Sequence, residues 1–536
     1  MAKTKTLIWP AALLTTAFFA ALAALLMMAC DDPNKPGESC LAITDVDFIA
    51  DNDGQTPFTS GKLVITFNED IHGLKQDDIK LNAAFVILKH GFTRTGPAVY
   101  ELGITPGGSG TVMVGLDPYN PSGWKWKAKT VSVYTVFHFT GTSALTITRY
   151  NGQGEEAVIP VQIAGIPVTA VGDGAFNNKS LTELVIPDAI QTIGRLAFAN
   201  NQLSNIIIPV TVKYIGVQAF SLNKLTEVDI NNGVLYIGDE AFRNNLLESI
   251  TIPDSVTSIG RLAFANNRLS DIDIKENIVN IGQAAFQNNL LTSVDIPANV
   301  KIIEAGLFSH NMLESATIHD KVTSIGASAF DYNRLTDITI PDSVTSIGNN
   351  AFANNMLDGV KFFEGLEFIG IGAFAYNKLE SITLPESLKD IRDGAFENNY
   401  LTAITIGSKV TLIGKNAFAN NRLTSITIGD GVTSIGDYAF AYNNLTDITI
   451  GNSVNLIGAH AFRDNQLPNI NLGSVKFIGE YAFRNNKLTS ITIGEDVSLG
   501  RDAFGGGFEA FYSGKGKKAG DYSRQDLSAE WVYDGT

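Results

Sequence analysis

Phenylalanine recurs at a fixed step through more than half of this chain. It stands at Phe176, Phe198, Phe220, Phe242, Phe264, Phe286, Phe308, Phe330, Phe352, Phe374, Phe396, Phe418, Phe440 and Phe462, always 22 residues apart, and two 21-residue steps then reach Phe483 and Phe504. Chance does not produce sixteen such positions, and periods in the twenties belong to solenoids, in which each coil stacks on the one before. The period predicts a mainly β chain dominated by about 15–16 coils.

One coil shows the expected path. After Phe330 come Asn333, Leu335, Ile338, Ile340, Val344, Ile347 and Gly348, before the next pair, Ala351-Phe352. The alternation Ile338-Thr339-Ile340 reads as a short strand with its isoleucines inward and Thr339 outward. Pro341 lacks the amide a further rung needs, and Gly348 is expected to permit the turn into the Ala-Phe segment. A coil with so few apolar side chains cannot offset the entropy of ordering its backbone, so stability must come from the interfaces between neighbours. Asn recurs three residues after Phe from Asn201 and Asn223 through Asn486. A polar residue in the same place of every coil predicts a buried amide ladder bonding backbone groups at the turns.

Composition agrees with a repeat array. The 536 residues exceed what one core serves, and 45% hydrophobic against 18% charged residues excludes a disordered chain. The formal net charge of -16 argues against nucleic acid as a partner and suits an exported protein or a basic partner.

The first residues read as an address. Lys3 and Lys5 precede an almost wholly apolar stretch from Leu7 to Ala29, the pattern of an export signal. Leu26-Met27-Met28-Ala29-Cys30 resembles a relaxed bacterial lipobox, with Met27 where Leu is usual, and a polar tether follows from Asp31 to Pro36. That resemblance implies that Cys30 is acylated and becomes the first mature residue, leaving Cys40 unpaired. The alternative is a Cys30–Cys40 disulfide in an oxidising compartment.

Between Leu41 and Tyr134, β-branched and aromatic runs at Leu63–Phe67, Val86–Lys89, Thr111–Leu116 and Val131–Tyr134 alternate with turn residues, predicting a small β-sandwich. The segment Val64–Ile71 followed by Asp77-Asp78-Ile79 resembles bacterial immunoglobulin-like modules, which serve as spacers. Asp51-Asn52-Asp53-Gly54 opens like a calcium loop, but Lys62 occupies the place of the closing Glu, so a turn is expected. Trp124 and Trp126 read as caps on one end of the sandwich.

The run Leu423-Thr-Ser-Ile-Thr-Ile through Val432-Thr-Ser-Ile-Gly to Ala439-Phe440 and Asn443 resembles the BspA-like leucine-rich repeats. The resemblance implies a curved solenoid on secreted or surface-exposed proteins that act in adhesion and host-protein binding. The expected organisation is then a signal peptide (1–29), a tether (30–40), the immunoglobulin-like module (41–135), an N-terminal cap (136–172), the repeats (173–504) and a C-terminal cap (505–536) carrying Phe511-Tyr512 and Trp531.

Repetition also supplies its own reference for spotting exceptions. Glu304 and Arg392 replace the turn Gly, Phe363 stands where most coils have Pro or Gly, and Tyr214, Tyr236, Phe368 and Phe477 occupy a position usually small or polar. On the outward side of the strand, Glu227, Asp229, Asp271, Asp273 and Asp295 make the early coils acidic where later coils carry Thr. Like charges on adjacent rungs disfavour a sheet, so this row is a candidate face for a basic partner, with Phe363 a second candidate.

The six histidines, His72, His90, His138, His310, His319 and His460, show no metal-ligand spacing beyond the weak nine-residue separation of His310 and His319. There is no nucleophile elbow or phosphate loop, and translational repetition makes a surface rather than a convergent pocket. The expectation is a monomeric, non-catalytic cell-surface lipoprotein without cofactor or metal, held at the outer membrane through its lipid alone. Its partner would be a host extracellular-matrix or other surface protein. The alternative is a structural envelope component that binds surface proteins of its own cell.

Overall fold

The computed structural model describes residues 137–535, apart from 153–154 and 164–165, together with Gln76 and eight strands between residues 41 and 133. The signal segment, the tether, Cys30, Cys40, the Asp51–Gly54 turn and Trp124 lie outside the described residues. The chain divides into two compact units: Met1–Phe176 with Leu184–Gln191, and Asn177–Glu183 with Thr192–Thr536.

In the first unit the strands are β1 (Leu41–Ala50), β2 (Gly61–Phe67), β3 (Ile79–Leu81), β4 (Ile87–Gly96), β5 (Val99–Pro106), β6 (Gly110–Leu116), β7 (Trp126–Lys127) and β8 (Lys129–Val133). They form two sheets, β4-β5-β2-β1-β7 and β3-β6-β8, antiparallel except where β1 meets β7. The four runs expected from sequence overlap β2, β4, β6 and β8. Farther along, Phe137–Thr140 and Leu145–Tyr150 pair antiparallel, and Tyr150 stacks on Phe176 at 4.9 Å.

The second unit is the solenoid. Fifteen rings from Phe198 to Phe504 form one column, consecutive centroids 5.1–5.7 Å apart and planes within 21° of parallel. Offset-stacked aromatic pairs add attraction to apolar burial. The residue before each Phe, Ala in every coil but that of Leu307, is also buried, as is the Leu five residues after each Phe as far as Phe483. The core is thus a set of columns, each of nearly one residue type.

The expected Ile-Thr-Ile strands are present but discontinuous. Asn205–Ile208 pairs with Glu227–Ile230, Ser293–Ile296 with Ser315–Ile318, and Ala403–Ile406 with Ser425–Ile428. Residues 249–252, 271–274 and 381–384 form no strand. The longer ladder is one the alternation does not announce: a two-residue strand ending in Ile or Leu in each coil. Ten of these pair in parallel register from Ile302–Ile303 to Ser498–Leu499, and five more from Thr192–Ile193 to Asn280–Ile281.

The turn Gly has a different purpose from the one expected. Gly348 is not in the left-handed region, and a Cβ there would lie 2.5 Å from the Ala327 backbone nitrogen, so glycine lets successive coils approach. Glu304 supports this. The two-residue ladder is interrupted between Asn280–Ile281 and Ile302–Ile303, beside Glu304, and the Phe rings on both sides of Phe286 and Phe308 stand 5.7 Å apart, the widest in the column. Arg392 has a milder effect, its N–H reaching Ile369 O at 3.2 Å.

The C-terminal residues close the column. The helix Phe508–Gly514 sets Phe508 edge-on against Phe504 at 4.9 Å, and Trp531 and Tyr522 meet Phe508 edge-on from other sides. In the coils each Phe N–H donates to the carbonyl of the residue before the next Phe, as Phe483 does to Ala503 at 2.6 Å. Phe504 has no following coil, and its N–H donates to Glu509 Oε1 at 2.9 Å. Burial raises the Glu509 pKa, the Phe504 N–H partly opposing it. A raised carboxyl pKa stabilises the fold below the usual carboxylate range, and that contribution is lost as pH rises through the folded-state value. Glu509→Gln therefore keeps the acceptor and flattens the pH dependence of melting between acid and neutral pH. Glu509→Ala orphans the amide and costs about 1 kcal/mol at the last coil, read as earlier hydrogen exchange there.

Candidate functional site

The Asn ladder is present as expected. Along the coils the Asn three residues after Phe is buried, its Oδ1 accepting the Leu N–H of the preceding coil and its Nδ2 donating to two Phe carbonyls. Asn399, 2% exposed, accepts from Leu379 at 3.0 Å and donates to Phe374 O at 2.9 Å and Phe396 O at 3.2 Å. These amides are consumed by coil-to-coil bonding, so the invariant columns are structural.

What can meet a partner is the outward set, which changes from coil to coil. Glu227 and Asp229 are exposed on the strand Glu227–Ile230, beside Asn205 and Ile207. Asp271 and Asp273 are exposed at the equivalent places two coils on, in a stretch without strand pairing, and Asp295 follows on Ser293–Ile296. The structure thus places the five acids along one row but does not leave all of them free. Lys275 pairs with Asp273, and His319 Nε2 lies 3.1 Å from Asp295 Oδ1. Asp273, Lys275, Glu276, Asp295 and Pro297 line a shallow cavity of about 240 Å³. Phe363 is 38% exposed three coils beyond Asp295, with Lys361 Nζ 4.6 Å from its ring centre.

The aromatic exceptions lie on the outward column of the two-residue ladder: Tyr214 faces Tyr236 in register, Phe368 lies beside Ser346 and Asp390, and Phe477 pairs with Leu456. Tyr214 is 55% and Phe477 45% exposed. His310 and His319 go to separate settings. His310 shares a hydrogen bond with Ser309 Oγ and stacks on Tyr332, whereas His319 meets Asp295. Among the described residues no three His, Cys, Asp or Glu are placed to hold a metal ion, and no helix is long and apolar enough to cross a membrane.

Sequence reading passed over a second outward set, the residues two and four positions after each Phe. They flank the buried Asn and include exposed Tyr332, Met356, Tyr376, Tyr400 and Tyr442. Aligning the coils by Phe would have exposed it, since nine coils carry Asn two residues after Phe.

Known proteins bear on the array. The family described as BspA type leucine rich repeat region (6 copies) matches residues 169–291, 279–402 and 389–507. No curated protein matches the chain. Similar solved structures include a leucine-rich repeat protein from Bacteroides ovatus, 22% identical, covering 70% of this chain and 91% of that one with a TM-score of 0.46. The pneumococcal vaccine antigen PcpA is 20% identical over 69% of this chain and 96% of its own, with a TM-score of 0.41. A leucine rich cell surface protein from Faecalibacterium prausnitzii is 23% identical over 69% and 96%, with a TM-score of 0.33. The family matches run through more than half of the sequence, with the Phe column, the Asn ladder and the two strand ladders inside them: this chain belongs to the BspA-type leucine-rich repeat family.

Proposed function

We propose that the chain is a lipid-anchored bacterial surface protein that binds a protein partner through the outward columns of its solenoid and carries out no chemistry. One observation carries the reading. The inward columns hold nearly one residue type coil after coil, whereas the outward columns vary, so individuality is concentrated on the surface that a partner touches. The acidic row Glu227, Asp229, Asp271, Asp273 and Asp295, with Phe363 beyond it, is the face proposed for a basic patch on that partner. The immunoglobulin-like module serves as a spacer, and acylated Cys30 holds the protein to the outer membrane.

Two measurements test this. Labelled palmitate enters the wild-type protein, and Cys30→Ala abolishes labelling and releases the chain from membranes; label retained in the variant refutes the anchor. Purified full-length chain is retained by an immobilised basement-membrane matrix. Retention by its own cell's envelope fraction alone refutes adhesion and leaves an envelope component.

A further inference from the structure

We propose that the edge formed by coils Phe308 to Phe440 holds an extended acidic polysaccharide of the uronate class, with one carboxylate per disaccharide. This goes beyond protein binding and uses a different surface from the acidic row.

The first observation is charge. The positions two and four residues after Phe contain no Asp or Glu from Asn178 to Asn444, in a chain whose net charge is -16. Arg334, Lys378 and Arg422 stand exposed on this edge without a carboxylate partner among the described residues; Arg422 lies instead 4.0 Å above the Tyr400 ring. Among the other arginines of the solenoid, Arg243, Arg261, Arg392, Arg463, Arg484 and Arg501 hold a carboxylate, while exposed Arg268, in the same column three coils before Arg334, holds none among the described residues. The three cations of the edge are two coils apart each, at coil steps of 5.2–5.5 Å, which spaces them about 11 Å from one another.

The second observation is backbone conformation. The residue two after Phe is left-handed in every coil, and Asn, which tolerates that region, fills it in nine of them. Neighbouring asparagines there bond to one another, Asn266 Nδ2 to Asn244 Oδ1 at 2.7 Å and Asn288 Nδ2 to Asn266 Oδ1 at 2.8 Å. Tyr332, Tyr376 and Tyr442 nevertheless occupy it at φ of 51°, 57° and 59°, and these residues are 53%, 55% and 44% exposed. Tyrosine here opposes the local backbone preference and forgoes the amide bond; Tyr332 stacks on His310, but Tyr376 and Tyr442 meet no other ring among the described residues. What the fold does not need, a ligand does.

The shape of the edge selects the class of ligand. Exposed Asp337, Asp358 and Glu380 border it on one side, so a broad acidic protein face would meet repulsion, whereas a narrow chain laid along the coils would not. Tyrosine rings offer flat apolar faces to the C–H faces of sugar rings, and Asn354, Asn398 and Asn420 offer amides between them. Single cations two coils apart match sparse carboxylates rather than densely sulfated sugars.

The test uses the full-length chain and immobilised hyaluronan, with uncharged dextran as control. Wild type is retained on hyaluronan but not on dextran, and added salt weakens retention. The combined variant Tyr332→Asn, Tyr376→Asn and Tyr442→Asn loses about tenfold or more in affinity while melting at the same or a higher temperature. Arg334→Gln, Lys378→Gln and Arg422→Gln together give a similar loss and a weaker salt dependence, while Asp271→Thr, Asp273→Thr and Asp295→Thr together change neither. No retention on hyaluronan, unchanged affinity in the tyrosine or cation variant, or an equal loss on neutralising the distant Lys515, Lys517 and Lys518 overturns the proposal. If the edge variants lose matrix-protein binding and keep hyaluronan, the edge is a protein interface and the glycan assignment is wrong.

Discussion

Asn399→Leu lowers the stability of the solenoid by about 3 kcal/mol, whereas Asn398→Leu, one residue earlier, costs about 1 kcal/mol or less. The difference follows from where each amide goes. Removing the Asn399 side chain leaves the Leu379 N–H with no acceptor in a buried site. Phe374 and Phe396 keep one donor each, Asn377 at 3.1 Å and Asn421 at 2.9 Å, so their carbonyls are weakened rather than orphaned. The large term is therefore one unpaired buried amide, with the two thinned carbonyls adding to it. Asn398 is left-handed at φ 57° on the outer edge, and leucine already occupies the equivalent place at Leu222. Urea denaturation of the two variants measures the gap. Equal losses would show that the buried amide does not hold the coils together.

Deleting Phe330–Ala351 leaves a folded, shorter solenoid, while deleting eleven residues from the same coil, Phe330–Ile340, unfolds the coils around the cut. After the 22-residue deletion Phe308 stacks on Phe352 in place of Phe330, and the Leu313 N–H meets Asn355 in place of Asn333. In the two-residue ladder Ser324-Ile325 pairs with Phe368-Ile369, as it does in the intact chain with Ser346-Ile347. Each removed contact is replaced by one of the same kind, because stability is a sum of nearest-neighbour terms. The eleven-residue deletion sets a strand segment where the next coil offers an Ala-Phe turn, so neither the ring column nor the Asn ladder can close. Circular dichroism and limited proteolysis separate the outcomes: one cooperative melt and a resistant core for the first, early cleavage near the cut for the second. Similar behaviour of both would contradict a stacked-coil architecture.

Much of this was legible without coordinates because a solenoid repeats its requirements. The Phe period, inward isoleucines and buried Asn follow from one residue type serving one place in every coil, and sixteen repeats make that place visible. The two-residue ladder was not legible, since Ser346-Ile347 is too short to show alternation and its strand character comes only from Ser324-Ile325 and Phe368-Ile369 on either side. The turn glycine was assigned to the right position for the wrong reason: sequence suggests a need for backbone freedom, while the coordinates show a need for close approach, which Glu304 breaks. The acidic row was readable as a row, but that Lys275 pairs with Asp273 and that His319 reaches Asp295 from the next coil depends on side-chain placement. The tyrosine edge was hidden for a related reason. Residues on either side of a buried asparagine face outward only because the backbone turns left-handed between Phe and Asn, and a sequence records the residue at such a turn without recording the turn.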